Sequence, residues 1–130
     1  MPTKKEAASA QKTILVVEDD QELLQAYQLM LEHTGAHVVA ARDGEEALAA
    51  LQSDPPNVLL LDLLLPGMNG FDVLATMRKN EKWKNVPVIV LSNLKQAQDV
   101  ERGRGLGVKY YIVKADTKIG EIVEKIKEFL

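Results

Sequence analysis

The sequence predicts a single α/β domain in which five parallel strands alternate with five helices. Short runs rich in Val, Ile and Leu alternate with segments whose apolar residues recur at helical spacing. These runs are apolar at nearly every position, as in strands that helices cover on both faces of a sheet. The length of 130 residues suits one domain, and the apolar fraction of 46% is ordinary for a globular core.

The first strand is predicted at residues 13–17, where TILVV is short, β-branched and apolar throughout. Asp20 is a good N-cap for the helix that follows, and Gly35 is a good stop. This helix places its apolar residues at helical spacing: Leu23, Leu24, Tyr27, Met30 and Leu31. Residues 37–41, HVVAA, form the predicted second strand.

The second helix opens at Asp43-Gly44 and carries Ala47, Leu48 and Leu51. Residues 54–56, Asp-Pro-Pro, must end it because proline cannot continue a helix. Residues 58–61, VLLL, are the predicted third strand. A third helix follows, capped by Asn69, and it carries Phe71, Leu74 and Met77.

The fourth strand is predicted at residues 86–91, VPVIVL, and the fifth at residues 110–113, YYIV. Between them lies a weak helix through Ala97, Val100 and Leu106. The last helix runs to the C-terminus and has one clear apolar stripe: Ile119, Ile122, Val123, Ile126 and Phe129.

Composition excludes several classes of function. The chain has no cysteine, so disulfides, thiolate metal sites and thiol catalysis are excluded. No apolar run approaches the roughly 18 residues of a membrane span, and a net charge of −3 argues against general nucleic-acid binding. Residues 1–11 lack a signal core and are predicted to be a flexible tail before a domain at 12–130, with no output domain. A cytoplasmic location fits these features.

One acidic residue interrupts an apolar run: Asp62 in VLLLDLLL, residues 58–65. An ionised carboxylate is costly to bury without a partner. In open parallel sheets, ligands bind beyond the carboxyl ends of the strands, and four strands bring polar groups to that edge. These groups are Glu18, Asp19, Asp20, Asp62, Ser92, Asn93 and Lys114.

Taken singly, most of these residues are typical of caps, turns and solvated surface. Together they fit phosphoryl transfer, because clustered carboxylates need a cation between them and an all-oxygen ligand set favours Mg²⁺. Asp62 could then attack a phosphoryl group as a nucleophile. Lys114 would pair with one phosphoryl oxygen and the Ser92 hydroxyl would bond another.

In this combination the chain resembles the response-regulator receiver domain of two-component signalling, from about Lys12 to Leu130. Four motifs carry the resemblance in order: ILVVEDD, VLLLDLLLPGMNG, PVIVLSN and YYIVKAD. Pro66-Gly67 suits a type II turn, with proline at the second position of the turn and glycine at the third. The resemblance implies the flavodoxin-like strand order 2-1-3-4-5.

The resemblance also implies a role for each residue at the sheet edge. Asp62 would be the phosphoacceptor, and the donor would be a phosphohistidine on a sensor kinase or phosphotransfer domain. The Mg²⁺ ligands, with Mn²⁺ as an alternative ion, would be Glu18, Asp19, Asp62 and the backbone carbonyl of Leu64. Ser92 would be the switch hydroxyl and Lys114 the family's lysine. Tyr111 matches the aromatic that turns inward on activation, although ordinary strand packing also explains it.

Three positions depart from the commonest family pattern: Leu64, Asn93 and Ala115. Ala115 replaces a proline that usually follows the lysine through a cis peptide. Because a cis bond before a non-proline residue costs about 2.5–4 kcal/mol, we expect a trans peptide here. Leu64 and Asn93 are larger or more apolar than usual, so they could restrict the attacking water and lengthen the life of the phosphorylated state. No conventional enzyme activity is expected beyond self-phosphorylation and slow dephosphorylation.

The fourth helix contains Gly103 and Gly105, with Gly107 just beyond. Interior glycines weaken a helix, so it either ends early or shifts easily between two states. The resemblance makes the face of helix four, strand five and helix five the surface for a downstream protein. Lys109, Tyr110, Arg102 and Arg104 would lie on or near it. Neither nucleic acid nor membrane is an expected partner.

Three other functions remain as alternatives. A degenerate receiver would act as a phosphate-independent interaction module, which Asn93 and Ala115 favour slightly. An aspartyl-phosphate phosphatase tends to carry a second Asp where this chain has Leu64. A flavodoxin would need hydroxyls and free amides after the first strand, where this chain has Glu18-Asp19-Asp20.

Overall fold

The computed structural model describes residues 11–130, which form a five-stranded parallel sheet with helices on both faces. The strands lie in the predicted order β2-β1-β3-β4-β5. The bounds of the strands are β1 Thr13–Val17, β2 His37–Ala41, β3 Val58–Leu61, β4 Val88–Ser92 and β5 Tyr110–Val113. The helices are α1 Gln21–Glu32, α2 Gly44–Ser53, α3 Gly70–Lys79, α4 Ala97–Gly105 and α5 Ile119–Lys127, and a 3-10 turn spans Lys114–Asp116.

The N-terminal tail that the sequence predicts at residues 1–11 lies, except for Gln11, outside the described residues. Within residues 11–130, no helix combines the length and the apolar character needed to cross a bilayer.

Two separate core clusters explain why the strands are apolar at nearly every position. In β1, Leu15 and Val17 face the cluster that α2 and α3 cover. Ile14 and Val16 face the opposite cluster, which α1 and α5 cover. Because successive strand residues point to opposite faces, a strand between two helical layers must be apolar throughout. The edge strands β2 and β5 are only partly buried.

Side chains cap the first three helices as the sequence predicts. Asp20, Asp43 and Asn69 each accept a hydrogen bond from a backbone amide in the first turn. Gly35 follows the end of α1 with a φ of 86°, and Gly67 has the positive φ of 72° that a type II turn needs at its third position. These capping and turn signals are local, and the fold preserves each of them.

The predicted bounds of β4 are wrong by two residues at the start. β4 begins at Val88 because Pro87 has no amide hydrogen to donate to the ladder. The Pro87 carbonyl still accepts from the Leu59 amide at 2.9 Å. The strand also continues through Ser92, which pairs with Val113 of β5.

Two details of the helices also differ from the prediction. Met30 is 37% exposed, because Tyr27 and Leu31 already fill the inner face of α1. The last helix ends at Lys127 rather than at the C-terminus, and Phe129 lies beyond it, partly buried against the core.

The fourth helix does not end early at its glycines. It runs through Gly103 to Gly105, and Leu106 is its C-cap. Gly107 follows with a φ of 78°, the left-handed conformation that commonly terminates a helix. Gly103 is its one buried residue.

Candidate functional site

Two buried acids stand directly after neighbouring strands at one edge of the sheet. The Glu18 amide donates to the Ala41 carbonyl and the Asp62 amide donates to the Val17 carbonyl, each at 3.0 Å. The ladder bonds therefore continue one residue past the strands and fix the backbone of both acids. Glu18 is 2% exposed and Asp62 is 5% exposed.

A third acid, Asp19, completes the cluster and is exposed to solvent. Glu18, Asp19 and Asp62 each offer a carboxylate oxygen within 4.8 Å of the others. An all-oxygen donor set of this kind fits a hard divalent cation such as Mg²⁺, and the exposed acid gives solvent access to the cluster. The residues present therefore fit the ion that the sequence analysis expects.

Lys114 links the two buried acids. Its Nζ lies 2.8 Å from Asp62 Oδ2 and 2.5 Å from Glu18 Oε2, and its side chain is 14% exposed. Burial alone would lower the pKa of Lys114, but its hydrogen bonds to Asp62 and Glu18 outweigh burial and raise that pKa. Lys114 is therefore a firmly charged ammonium at neutral pH.

The pKa of Glu18 is affected mainly by burial of its carboxyl. Desolvation raises the pKa of its carboxyl, and the hydrogen bonds from Lys114 and from the Asp20 amide only partly offset this effect. Both Glu18 oxygens are hydrogen-bonded, since Oε1 accepts from the Asp20 amide at 3.1 Å. Asp62 is held similarly, because its Oδ1 accepts from the Leu64 amide at 3.0 Å.

The last residue of β4 brings a hydroxyl to this edge. Ser92 is fully buried, and its Oγ accepts from the Leu94 amide at 3.3 Å. The Leu94 carbonyl in turn accepts from the Tyr111 hydroxyl. Tyr111 is half-buried against the core, and its ring lies beside Gly103 of α4. Ser92 and Tyr111 are thus joined through a single residue.

The peptide between Lys114 and Ala115 is trans, as is every other peptide bond from residue 11 onward. The expectation of a trans peptide is confirmed, and Lys114 still contacts Asp62 directly. Asn93, the other departure near the lysine, is exposed, and its Oδ1 accepts from the Ala115 amide at 3.0 Å.

The segment after Asp62 is held tightly by α3. The Gly70 amide donates to the Leu63 carbonyl at 2.9 Å. A Cβ at Gly70 would lie 2.6 Å from Leu63 Cα and 2.7 Å from the Asp62 carbonyl oxygen, so only glycine fits. The Leu64 side chain, by contrast, points outward and is 53% exposed.

Sequence reasoning missed one residue next to the site. It assigned Tyr27 only to the core, but this residue lines a cleft of about 340 Å³ between α1 and α5 that Lys114 also lines. Burial raises the pKa of the Tyr27 phenol, and the nearby charges of Lys114 and Glu18 also act on it. No local pattern marks this proximity, because it arises only when α1 packs beside β1.

Comparisons with known proteins agree on one family. Residues 14–127 match the family model for the response regulator receiver domain. Protein PilG of Pseudomonas aeruginosa is 29% identical over 119 residues, which cover 89% of this chain and 88% of PilG. Other similar proteins are DNA-binding and transcriptional regulators, and the chain spans less than half the length of those.

Solved structures agree as well. The phosphorylated cyanobacterial phytochrome response regulator RcpA is 34% identical, with a TM-score of 0.81 over 92% of this chain and 93% of that one. The Mn²⁺-bound form of the response regulator Rcp1 is 33% identical, with a TM-score of 0.81 over 91% and 93% of the two chains. With the matching strand order and the acid and lysine cluster, these likenesses show that the chain belongs to the response regulator receiver domain family.

Proposed function

We propose that this domain, residues 12–130, is a phosphorylation-dependent switch whose phosphoacceptor is Asp62. One observation supports this more than any other: a nearly buried carboxylate contacts a lysine ammonium at 2.8 Å and lies in a cluster of three acids at the ligand-binding edge of the sheet. The phosphorylated form of RcpA, a similar protein, is consistent with it.

In the proposed reaction, an Asp62 oxygen forms a bond to phosphorus as the bond between phosphorus and the donor's histidine nitrogen breaks. The imidazole leaves with the bonding electrons, and the donor is a histidine kinase or a phosphotransfer domain. Lys114, already charged and held by Glu18, pairs with the negative phosphoryl oxygens. Ser92 supplies a hydroxyl hydrogen for another of these oxygens, because its bond with the Leu94 amide uses only the hydroxyl oxygen as an acceptor.

Glu18, Asp19, Asp62 and the Leu64 carbonyl are the residues that would hold Mg²⁺. When bound, the ion supplies positive charge that offsets the phosphoryl and carboxylate charges. Mn²⁺ is an acceptable replacement, in line with the Mn²⁺-bound form of the similar protein Rcp1.

Output would pass through the face that α4, β5 and α5 form, and its partner would be a cytoplasmic protein. Tyr110 anchors this face, because its hydroxyl donates to Glu128 and Lys125 lies 4.3 Å from its ring centroid. Tyr111 would move when Ser92 moves, because Leu94 is hydrogen-bonded to both residues. The domain itself would bind neither nucleic acid nor membrane.

The alternative of a phosphate-independent interaction module has no specific observation in its favour. The acids, the hydroxyl and the lysine of a working receiver are all present and lie at one edge of the sheet. Asn93 and Ala115, which favoured that alternative slightly, leave the contact between Lys114 and Asp62 intact.

Intact-mass spectrometry with Mg²⁺ and acetyl phosphate tests the proposal. We expect the protein to gain one phosphoryl group, EDTA to prevent the gain, and Asp62→Asn to abolish it. Asp54→Asn, at an exposed position at the end of α2, should label like the wild type. A wild type that binds no Mg²⁺ and gains no mass would contradict the proposal and favour the interaction module.

The same sample measures the life of the phosphorylated state after the donor is removed. We propose that hydrolysis is slow, because the exposed, apolar Leu64 side chain stands two residues from the acceptor and does not assist a water molecule. Rapid loss of the added mass in Mg²⁺ would refute this part of the proposal.

A further inference from the structure

Two departures from the common family pattern meet in one hydrogen bond. The Asn93 side-chain oxygen accepts from the Ala115 amide at 3.0 Å, across 22 positions of sequence. A proline at 115 would have no hydrogen to donate, and an alanine at 93 would have no oxygen to accept it. Each unusual residue therefore supplies the half of the bond that the usual residue lacks.

This bond joins the residues that directly follow the site's hydroxyl and its amine. Asn93 directly follows Ser92, and Ala115 directly follows Lys114 within the 3-10 turn. Fixing the Ala115 backbone restricts the backbone of Lys114, whose ammonium must reach Asp62 from the end of a flexible side chain. We propose that Asn93 is a positioning residue that holds Lys114 against Asp62, an inference that rests on the proposed function.

The position of Asn93 between two constrained residues strengthens this inference. Ser92 is hydrogen-bonded to the Leu94 amide, and the Leu94 carbonyl accepts from the Tyr111 hydroxyl. Residues 92–94 are thus tied to β5 through Tyr111 and to the lysine loop through Asn93. A loop fixed at two points is a rigid support, and Asn93 passes that rigidity to the backbone of Lys114.

Asn93 also lies outside the core, so its role is separable from folding. The side chain is exposed, and truncating it leaves no cavity. Asn93→Ala should therefore lower the unfolding midpoint only slightly, because water replaces an exposed hydrogen bond, and should leave Mg²⁺ affinity unchanged while it slows the reaction of bound donor. A residue of purely structural importance would show the opposite pattern.

The first experiment compares Asn93→Ala with the wild type in Mg²⁺-dependent labelling by acetyl phosphate. We expect the maximal rate to fall roughly threefold to tenfold, as for one lost positioning hydrogen bond, with the half-saturating donor concentration unchanged. Gln96→Ala is the matched control, because Gln96 is an exposed amide in the same loop whose side chain makes no capping bond. It should label at the wild-type rate.

The second experiment removes the donor side of the bond with Ala115→Pro and completes the cycle with the double variant. If the bond carries the effect, the double variant will label no more slowly than the slower single variant. Fully additive losses would overturn the proposal.

Hydrogen exchange of the Ala115 amide, followed by NMR, reports on the bond without any phosphorylation. It should be protected in the wild type and in Gln96→Ala and unprotected in Asn93→Ala. An unprotected amide in the wild type, or equal labelling rates in Asn93→Ala and the wild type, would overturn this inference and leave the proposed function standing. A wild type that fails to label would overturn both, even with a protected amide.

Discussion

The fourth and fifth helices have the same length but are held to the sheet in opposite ways. Each has nine residues, and neither has a side-chain N-cap bond. α5 buries Ile122, Val123 and Ile126, whereas the one buried residue of α4 is Gly103. The two helices are therefore equal in length and in N-capping, and they differ first in how much apolar side chain they bury.

α4 is held instead by a cation–π contact, a close backbone approach and hydrogen bonds from Arg78. The Arg102 guanidinium lies 4.2 Å from the Phe71 ring centroid, and Gly103 lets the backbone approach the Tyr111 ring. At its C-terminal end, Arg78 of α3 donates from Nε to the Leu106 carbonyl at 2.7 Å and from Nη2 to the Gly107 carbonyl at 3.2 Å. This arrangement anchors α4 at its C-terminal end, whereas the rest of the helix buries little apolar surface.

The strongest test of this contrast is Ile126→Ala in α5. Ile126 is fully buried, so we expect a loss of about 2–5 kcal/mol in the free energy of unfolding from urea titration. Val100→Ala, at a half-buried position of α4, should cost less than about 1 kcal/mol, in proportion to the smaller apolar area that it removes from burial. Equal losses at the two positions would contradict the proposed difference between the helices.

Replacing Arg78 tests the anchor of α4. Arg78→Met keeps much of the apolar stem but removes the donors to four carbonyls, those of Leu106, Gly107, Lys84 and Val86. We expect the free energy of unfolding to fall by about 1.5–3 kcal/mol and the exchange of amides at the end of α4 to accelerate. Lys79→Met, at the exposed neighbouring position of α3, is the control and should change neither quantity. If the α4 amides exchanged as in the wild type, Arg78 would not be the anchor.

The smallest expected effects separate the two glycines of α4. A Cβ at Gly105 meets open space, so Gly105→Ala should raise the protection of α4 amides by about 0.5–1 kcal/mol. A Cβ at Gly103 would lie 3.0 Å from Tyr111 Cδ2, so Gly103→Ala should gain less protection and displace the Tyr111 ring. Native-state exchange and the Tyr111 ring resonances measure both effects. Identical results for the two variants would show that Gly103 does not set the spacing between α4 and Tyr111.

Features that local chemistry determines were predictable from the sequence. Asp20, Asp43 and Asn69 cap helices because their short side chains reach amides three residues ahead. The parallel topology then predicted that polar residues after different strands would share one edge. The contacts of Lys114 with Asp62 and Glu18 confirm that these residues lie together.

Contacts that depend on packing between distant segments were not predictable. Arg78 is an ordinary basic residue in the last turn of a helix until α4 ends beside it. The sequence analysis identified Asn93 and Ala115 as unusual, but their hydrogen bond exists only because two loops 22 residues apart meet. Met30 fits the helical period as well as Leu31 does, and only the position of the sheet decides which of them is buried.

The sharing of one core cluster by β1 and α5 has a consequence for how the chain folds as it is made. β1 gains its second neighbour only when β3, at residues 58–61, has left the ribosome. Ile14 and Val16 are fully covered only later in synthesis, because Ile122, Val123 and Ile126 of α5 belong to the same core cluster. During most of synthesis, one face of β1 is therefore without its final cover. The first strand of this domain therefore completes its packing only when the last helix of the domain is available, so the domain cannot finish folding from its N-terminal half alone.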